Sequence, residues 1–397
     1  MTLIDTPTIT TNVDFLERAK AIAHIIEAEA EVTERETDVT DVAGQALKDQ
    51  GLFWMFVPRH YGGGQVDIVT ALKVIEEISR ADGSTGWVLM ATSIGTRSSS
   101  FFLPQEGRDE LFAGPQKAIS AGYAAPLGTA VEVDGGLFGG AKHLQFASGS
   151  KFVTHLACTM RVLNEDGSPK MLDENTPDIR AYFAPKEEIE MLGNWNVMGL
   201  VGTGSYDYAL PERFLPDKYT VRSTFWTDPS LPVAGSELNR GTVGFAGHIG
   251  VVLGLMKRAL EEVANIVPGK VRQGYDTPVD KNQVFLKDFA TAEAKYRAVR
   301  SYAFEVLAEA EDSAQTKGEV SAELTSRVKQ ITAWVHEVGT EVVNTAALWG
   351  ASNTIRNPSA LGRTLRDMSV ARNHLAADPI GLVQSAGPIL TSWQRAR

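Results

Sequence analysis

Residues 195–205 read Trp195-Asn196-Val197-Met198-Gly199-Leu200-Val201-Gly202-Thr203-Gly204-Ser205, and Tyr206-Asp207-Tyr208-Ala209-Leu210 follows directly. Glycines at 199, 202 and 204 break any helix, and the residues after them alternate as a short strand does. Such a turn exposes backbone N–H groups to an anion or a polar ring edge. A plain β-turn accounts for it equally well.

Outward from this tract, residues 118–234 keep the same character. Short runs at Thr129–Val133, Phe152–Val162, Arg180–Phe183 and Tyr206–Leu210 are separated by Asp134-Gly135-Gly136 and Asn164-Glu165-Asp166-Gly167. They read as a middle β domain. Residues 1–117 are helical instead. Phe15, Ala19, Ile22 and Ile26 recur at helical spacing. A second helix runs from about Val39 to Asp49 and stops at Gly51. The loop Val57-Pro58-Arg59-His60-Tyr61-Gly62-Gly63-Gly64 interrupts, and Asp67 caps a helix that turns Ile68, Ala71, Ile75 and Ile78 inward. Another apolar helix starts near Ser84. In residues 235–397 the helical period returns over Gly247–Ile266, Asn282–Ala314 and Ala322–Trp349, lengths that suit a four-helix bundle. The order is α, then β, then α.

The bulk properties fit this. The chain has 397 residues, 43% hydrophobic and 22% charged, an ordinary globular balance. A net charge of -11 argues against nucleic acid and against a polybasic membrane anchor. No run of 18 apolar residues predicts a membrane span, and Met1–Asn12 does not read as a signal peptide. Cys158 is the single cysteine. It lies in an apolar strand-like run and reads as buried filler rather than a nucleophile, and a reducing cytoplasm is the expected compartment.

The loop Val57–Gly63 and the tract Trp195–Gly199 with Gly202–Ser205, in this order, resemble motifs of the acyl-CoA dehydrogenase superfamily over nearly the whole chain. That resemblance implies a mainly α protein with N-terminal helices, a β-barrel-like middle domain and a C-terminal four-helix bundle. Three further tracts resemble the branch of flavin-dependent two-component monooxygenases, which includes aromatic hydroxylases and a dibenzothiophene monooxygenase. They are Ala81-Asp82-Gly83-Ser84-Thr85-Gly86-Trp87, Phe146-Ala147-Ser148-Gly149, and Arg366-Asp367 with Arg372-Asn373-His374 and Asp378-Pro379. The resemblance implies reduced flavin (FMNH2 or FADH2) supplied by a separate NAD(P)H-dependent reductase, O2, a flavin C4a-hydroperoxide, and a small aromatic or heteroaromatic substrate. It also implies a homotetramer.

Carried onto this sequence, His374 resembles the catalytic histidine, as acid/base or as hydrogen-bond partner of the oxygen. Ser148 resembles the serine that approaches flavin N5. Phe146, Gly149, Trp195, Thr203, Gly204 and Ser205 are candidates for the flavin ring or phosphate. Arg272, Gln283, Gly350 and Arg372 are candidates for the rest of the cofactor, Arg272 for a neighbouring subunit's flavin. Trp87 belongs to the substrate side. Some relatives carry a second histidine on the helix after Ala-Asp-Gly-Ser. Here Met90–Arg97 has none, so Thr92, Ser93, Thr96 or His248 would replace it. Phe101-Phe102-Leu103 and Phe225-Trp226 are candidate pocket walls.

The rival within the fold is an acyl-CoA dehydrogenase or oxidase, which needs a carboxylate base. Pro379–Pro388 and Arg240–Lys257 contain no acidic residue, and Glu237 is poorly placed. A non-catalytic oligomer of the same fold is the remaining alternative. His24, His60, His143, His155 and His336 are scattered, without the spacing of a metal site, and no Gly-x-Gly-x-x-Gly tract predicts a nicotinamide site.

Overall fold

The computed structural model of the protein describes residues 12–222 and 238–394. The boundary at 234, Phe225-Trp226 and Glu237 lie outside the described residues.

Five helices come first: α1 (Asn12–Glu36), α2 (Asp41–Asp49), α3 (Ile68–Ala81), α4 (Gly83–Phe102) and α5 (Gln105–Phe112). Their starts follow from side-chain caps. The Thr40 hydroxyl, the Asp67 carboxylate and the Asp82 carboxylate accept N–H groups at the heads of α2, α3 and α4. Gly51 after α2 has φ 70°, as its place beyond the helix end requires. The Val57–Gly64 stretch contains one short 3-10 turn, Arg59–Tyr61.

Seven strands follow: β1 (Ser120–Val133), β2 (Gly136–Ala147), β3 (His155–Leu163), β4 (Ile179–Pro185), β5 (Glu190–Gly193), β6 (Tyr206–Pro216) and β7 (Thr220–Arg222). They form one sheet in the order β5-β6-β2-β1-β3-β4-β7, antiparallel except for the parallel pair β1–β3. Among the described residues, pairing does not complete the barrel-like closure expected of this segment. The strands at its two edges, β5 and β7, are short, with 4 and 3 residues, and do not pair with each other. The strand β2, missed from sequence, carries three glycines and half its side chains outward, so its alternation is weak.

The C-terminal part holds α6 (Arg240–Ile266), α7 (Gln283–Lys317) and α8 (Ala322–Gly350), then the shorter α9 (Ser352–Ile355), α10 (Ala360–Ala371) and α11 (Ile380–Trp393). Gly241–Ile266 is long and apolar enough to cross a membrane, yet it is mostly buried as the central helix between α3 and α8. The fourth bundle member is thus divided among short helices, where Pro358 and Pro379 interrupt. Glu76 of α3, 4% exposed, takes hydrogen bonds from Arg300 and Tyr296 of α7 and ties the N-terminal helices to the bundle.

Candidate functional site

Three histidines converge from different elements. His248 (α6) and His374 (the turn after α10) stack with ring centroids 3.9 Å apart and planes at 25°. Trp87 (α4) meets both edge-on, at 4.9 and 5.6 Å. His336 (α8) lies 6.5 Å behind His248. His336 is the residue the sequence reading missed. It occupies the buried stripe of a long helix, where an isolated histidine carries no signal of its neighbours.

The backbone fixes two of the three tautomers. His374 caps the short turn Leu375–Ala377, its Nδ1 accepting the Ala376 N–H at 3.1 Å. In the neutral ring the proton therefore sits on Nε2. His336 Nδ1 donates to the Thr332 carbonyl at 2.7 Å, which leaves Nε2 as an acceptor. Burial lowers all three pKa values. His336 falls to about 4, and His248 falls well below its usual value, helped by its two imidazole neighbours. Burial of most of the ring lowers His374 to about 4, while one edge of the side chain stays open to solvent. With its pKa lowered, His374 is at pH 7 a neutral ring with its proton on Nε2.

A second group faces the same helix. Ser148 and Ser205 share a hydrogen bond at 2.7 Å, and Ser205 shares another with Thr203 at 2.7 Å. The Thr203 hydroxyl donates to the Leu200 carbonyl at 2.8 Å, and Gly149 N–H donates to the Thr203 carbonyl. Phe146 and Trp195 meet edge to face at 6.4 Å, with Phe146 half exposed. Phe146, Asn194 and Leu200 all hold left-handed φ values, 59°, 72° and 51°. Each costs on the order of 1 kcal/mol or more, strain that concentrates where function requires a fixed shape. Gly149 (φ 75°) packs so closely that a Cβ would sit 2.8 Å from Val88 and 3.0 Å from Thr92. Trp87 and Val88 are successive residues of α4, so one helix carries both the histidine cluster and the Ser148 turn.

The remaining candidates are placed as follows. Thr92 turns its methyl to Gly149 and its hydroxyl back to the Val88 carbonyl, while Ser93 donates to the Leu89 carbonyl. Thr96 is fully buried and accepts the Ser120 N–H, which pins the start of β1 rather than facing the histidines. Arg272 donates to the Leu348 and Trp349 carbonyls at 2.7 and 2.8 Å and lies over the Trp349 ring. It closes the end of α8 beside Gly350, whose carbonyl takes Lys270. Gln283 is exposed at the head of α7, and Arg372 is exposed at the end of α10. Phe101 and Phe102 are buried against Arg97, and Phe101 lines a separate cleft of about 200 Å³. Among the described residues no cluster suits a metal ion. Cys158 is buried, and burial pushes its thiol pKa up.

An aromatic wall, glycine-opened turns and a row of hydroxyls fit a flat heteroaromatic cofactor such as flavin. The 195–205 tract is docked tightly. A Cβ on Gly199 would sit 2.1 Å from the Arg366 carbonyl oxygen. Gly199→Ala should therefore displace the tract and destabilise the protein by roughly 1–3 kcal/mol, measurable by urea unfolding.

Sequence models of the acyl-CoA dehydrogenase N-terminal and C-terminal domains match residues 15–102 and 246–379, together more than half of the chain. Similar proteins include the indole-3-acetate monooxygenase of Pseudomonas putida, 26% identical over 338 residues covering 83% of this chain and 81% of that one. Another is the flavin-dependent monooxygenase oxygenase subunit HsaA of Rhodococcus jostii, 24% identical over 384 residues covering 92% and 94%. The solved structure of XiaF from a Streptomyces species, in complex with FADH2 and glycerol, superposes with a TM-score of 0.86 at 19% identity over 96% of each chain.

Proposed function

This chain belongs to the acyl-CoA dehydrogenase superfamily, and from that premise we propose that it is the oxygenase component of a two-component flavin-dependent monooxygenase acting on small aromatic or heteroaromatic molecules. A separate NAD(P)H-dependent reductase supplies the reduced flavin, which provides the electrons for dioxygen to give one atom to substrate and one to water. The observation that carries this reading is a neutral histidine donor and a serine hydroxyl chain both set against α4, through Trp87 on one side and Val88 and Thr92 on the other.

Each residue then has a task. His374 keeps a proton on Nε2 and donates it toward the oxygen being transferred. Ser148 offers its hydroxyl to the flavin ring, steadied by Ser205 and Thr203. Phe146 and Trp195 exclude water from the ring. Trp87 and His248 wall the substrate side. The relatives named for indole-3-acetate oxidation and for a flavin-dependent oxygenase subunit support this assignment. Ser148→Ala should lower product formed per reduced flavin about tenfold, the worth of one hydrogen bond to a charged group, with peroxide released instead.

We also infer a homotetramer. The helix α11 has no charged residue, yet Val383, Leu390 and Trp393 are 69%, 63% and 78% exposed, a patch that favours burial against another copy. Arg272 and Gly350 meet at the end of α8, and with Gln283 at the head of α7 they would serve a neighbouring subunit's flavin.

The test supplies reduced flavin, ¹⁸O2 and a panel of phenols and indoles. One labelled oxygen in the product, dependent on reduced flavin, is the expected result. Acyl-CoA-driven dye reduction without oxygen incorporation would overturn the reading.

A further inference from the structure

Four segments meet in a buried charge cluster between the two halves of the site. Asp367 (α10) and Asp82 (the α3–α4 junction) are 2% and 3% exposed. They are near neighbours, for a Cβ on Gly83 would lie 2.7 Å from Asp367 Oδ2. Asp82 Oδ2 caps α4 through Thr85, while its Oδ1 has Arg363 Nε 3.6 Å away. Glu34 (α1) pairs with Arg366 and lies 4.0 Å from Arg363. Three carboxyl groups thus face two guanidiniums. Asp367 Oδ1 accepts the Leu200 N–H at 2.6 Å.

That last bond joins the cluster to the flavin side. Leu200 holds a left-handed φ of 51°, and its carbonyl takes the Thr203 hydroxyl. From Thr203 the hydroxyl chain runs through Ser205 to Ser148. Seven residues beyond Asp367 stands His374, after the end of the same helix. A single carboxylate therefore touches the loop whose hydroxyl chain reaches Ser148 and rides on the helix that leads to His374.

We propose that Asp367 is a positioning residue for oxygenation: by taking the Leu200 N–H it clamps residues 194–204 onto α10 and so sets Ser148 in register with His374. The reading rests on the monooxygenase assignment above, but the clamp itself does not. The cluster balances its charge when one proton resides on the acidic pair. Above the pH at which that proton leaves, a second negative charge next to Asp82 strains the clamp. Burial and Asp82 push Asp367 in this direction, against the Leu200 bond and Arg363. Glu34 adds to the negative side, Arg363 opposes it, and Arg366 is paired with Glu34.

The test compares wild type, Asp367→Ala and Asp367→Asn. Hydrogen exchange of the peptide spanning 194–204 is followed in flavin-free protein, and product per reduced flavin in the complete reaction. In Asp367→Ala the peptide should exchange at least about tenfold faster, and oxygen use should uncouple toward peroxide. Asp367→Asn keeps an acceptor oxygen and should rescue both. Unchanged exchange in Asp367→Ala overturns the clamp, as does an asparagine variant that behaves like alanine. Faster exchange with full coupling overturns its role in oxygenation. If the alanine variant does not fold, the pH series decides. Exchange in wild type should rise above the intrinsic base-catalysed trend between pH 6 and 8.5 and follow that trend in Asp367→Asn, and identical profiles refute the proposal. Should no substrate be oxygenated by wild type, the exchange arm still judges the clamp alone.

Discussion

Replacing His374 with alanine is expected to cut product formed per reduced flavin by about 10²–10⁴, the usual worth of a positioned proton donor, while flavin consumption continues and peroxide accumulates. The fold should tolerate the change. Its side chain keeps an exposed edge, and the side-chain hydrogen bond to Ala376 closes one short turn. The pH profile gives a second check. His374 is lowered to about 4, so its donor proton on Nε2 is in place throughout the neutral range. Coupling should show no break near 6.5 that depends on His374, whose own titration should enter only as pH falls toward 4. A break near 6.5 that vanishes in His374→Ala would mean that the ring titrates normally and that the stack with His248 and Trp87 does not enclose it. Product yield unchanged in the variant would remove His374 from the chemistry altogether.

The second large effect is on stability. Asp367 is raised to about 7, first by burial and then by Asp82. In the unfolded chain the same carboxyl titrates near the ordinary aspartate value of about 3.9. A raised folded pKa means that the folded state holds a proton the unfolded state has lost. The contribution is fully present below the unfolded pKa and is lost as pH rises through about 7. Asp367→Asn removes this dependence and keeps an acceptor for Leu200. The variant should match wild type near pH 4 and exceed it at pH 8 by on the order of 2–4 kcal/mol. Urea midpoints of the two proteins, taken as a difference at each pH, isolate the effect. The difference matters because the buried histidines work oppositely. Their lowered values remove stability as pH falls below 6.5, and they act equally in both proteins. A constant difference across the range would show that Asp367 is ionised throughout.

Much of the architecture is legible in the chain. The caps at Asp67 and Asp82, the glycine after α2 and the inward stripe of α3 are local signals, set by chemistry within one turn. Long helices such as α7 and α8 need only their own periodicity. The sheet is less legible. The strand β2 pairs on both sides, with register shifts against β6, and is rich in glycine, so what makes it a strand is the neighbours it finds, not its own pattern. The site divides in the same way. His374 and Ser148 stand out through their surrounding tracts. The stack of His248 on His374, with His336 behind, depends on how α6, α8 and the post-α10 turn pack, and nothing in the spacing of 248, 336 and 374 announces it. The acidic tracts at 82 and 367 are visible in sequence, but their mutual contact is not, because 285 residues separate them.

Gly83 and Asp367 also constrain one another historically. A would-be Cβ at residue 83 lies 2.7 Å from Asp367 Oδ2 and 2.9 Å from Leu255 Cδ2, so a lineage can enlarge residue 83 only if the side chains at 367 and 255 also give way. Shortening 367 first loosens Leu200. The two positions are therefore an epistatic pair in which most single steps lead downhill, so they should drift together or not at all. A library that randomises both at once should recover functional combinations that neither single-site library contains.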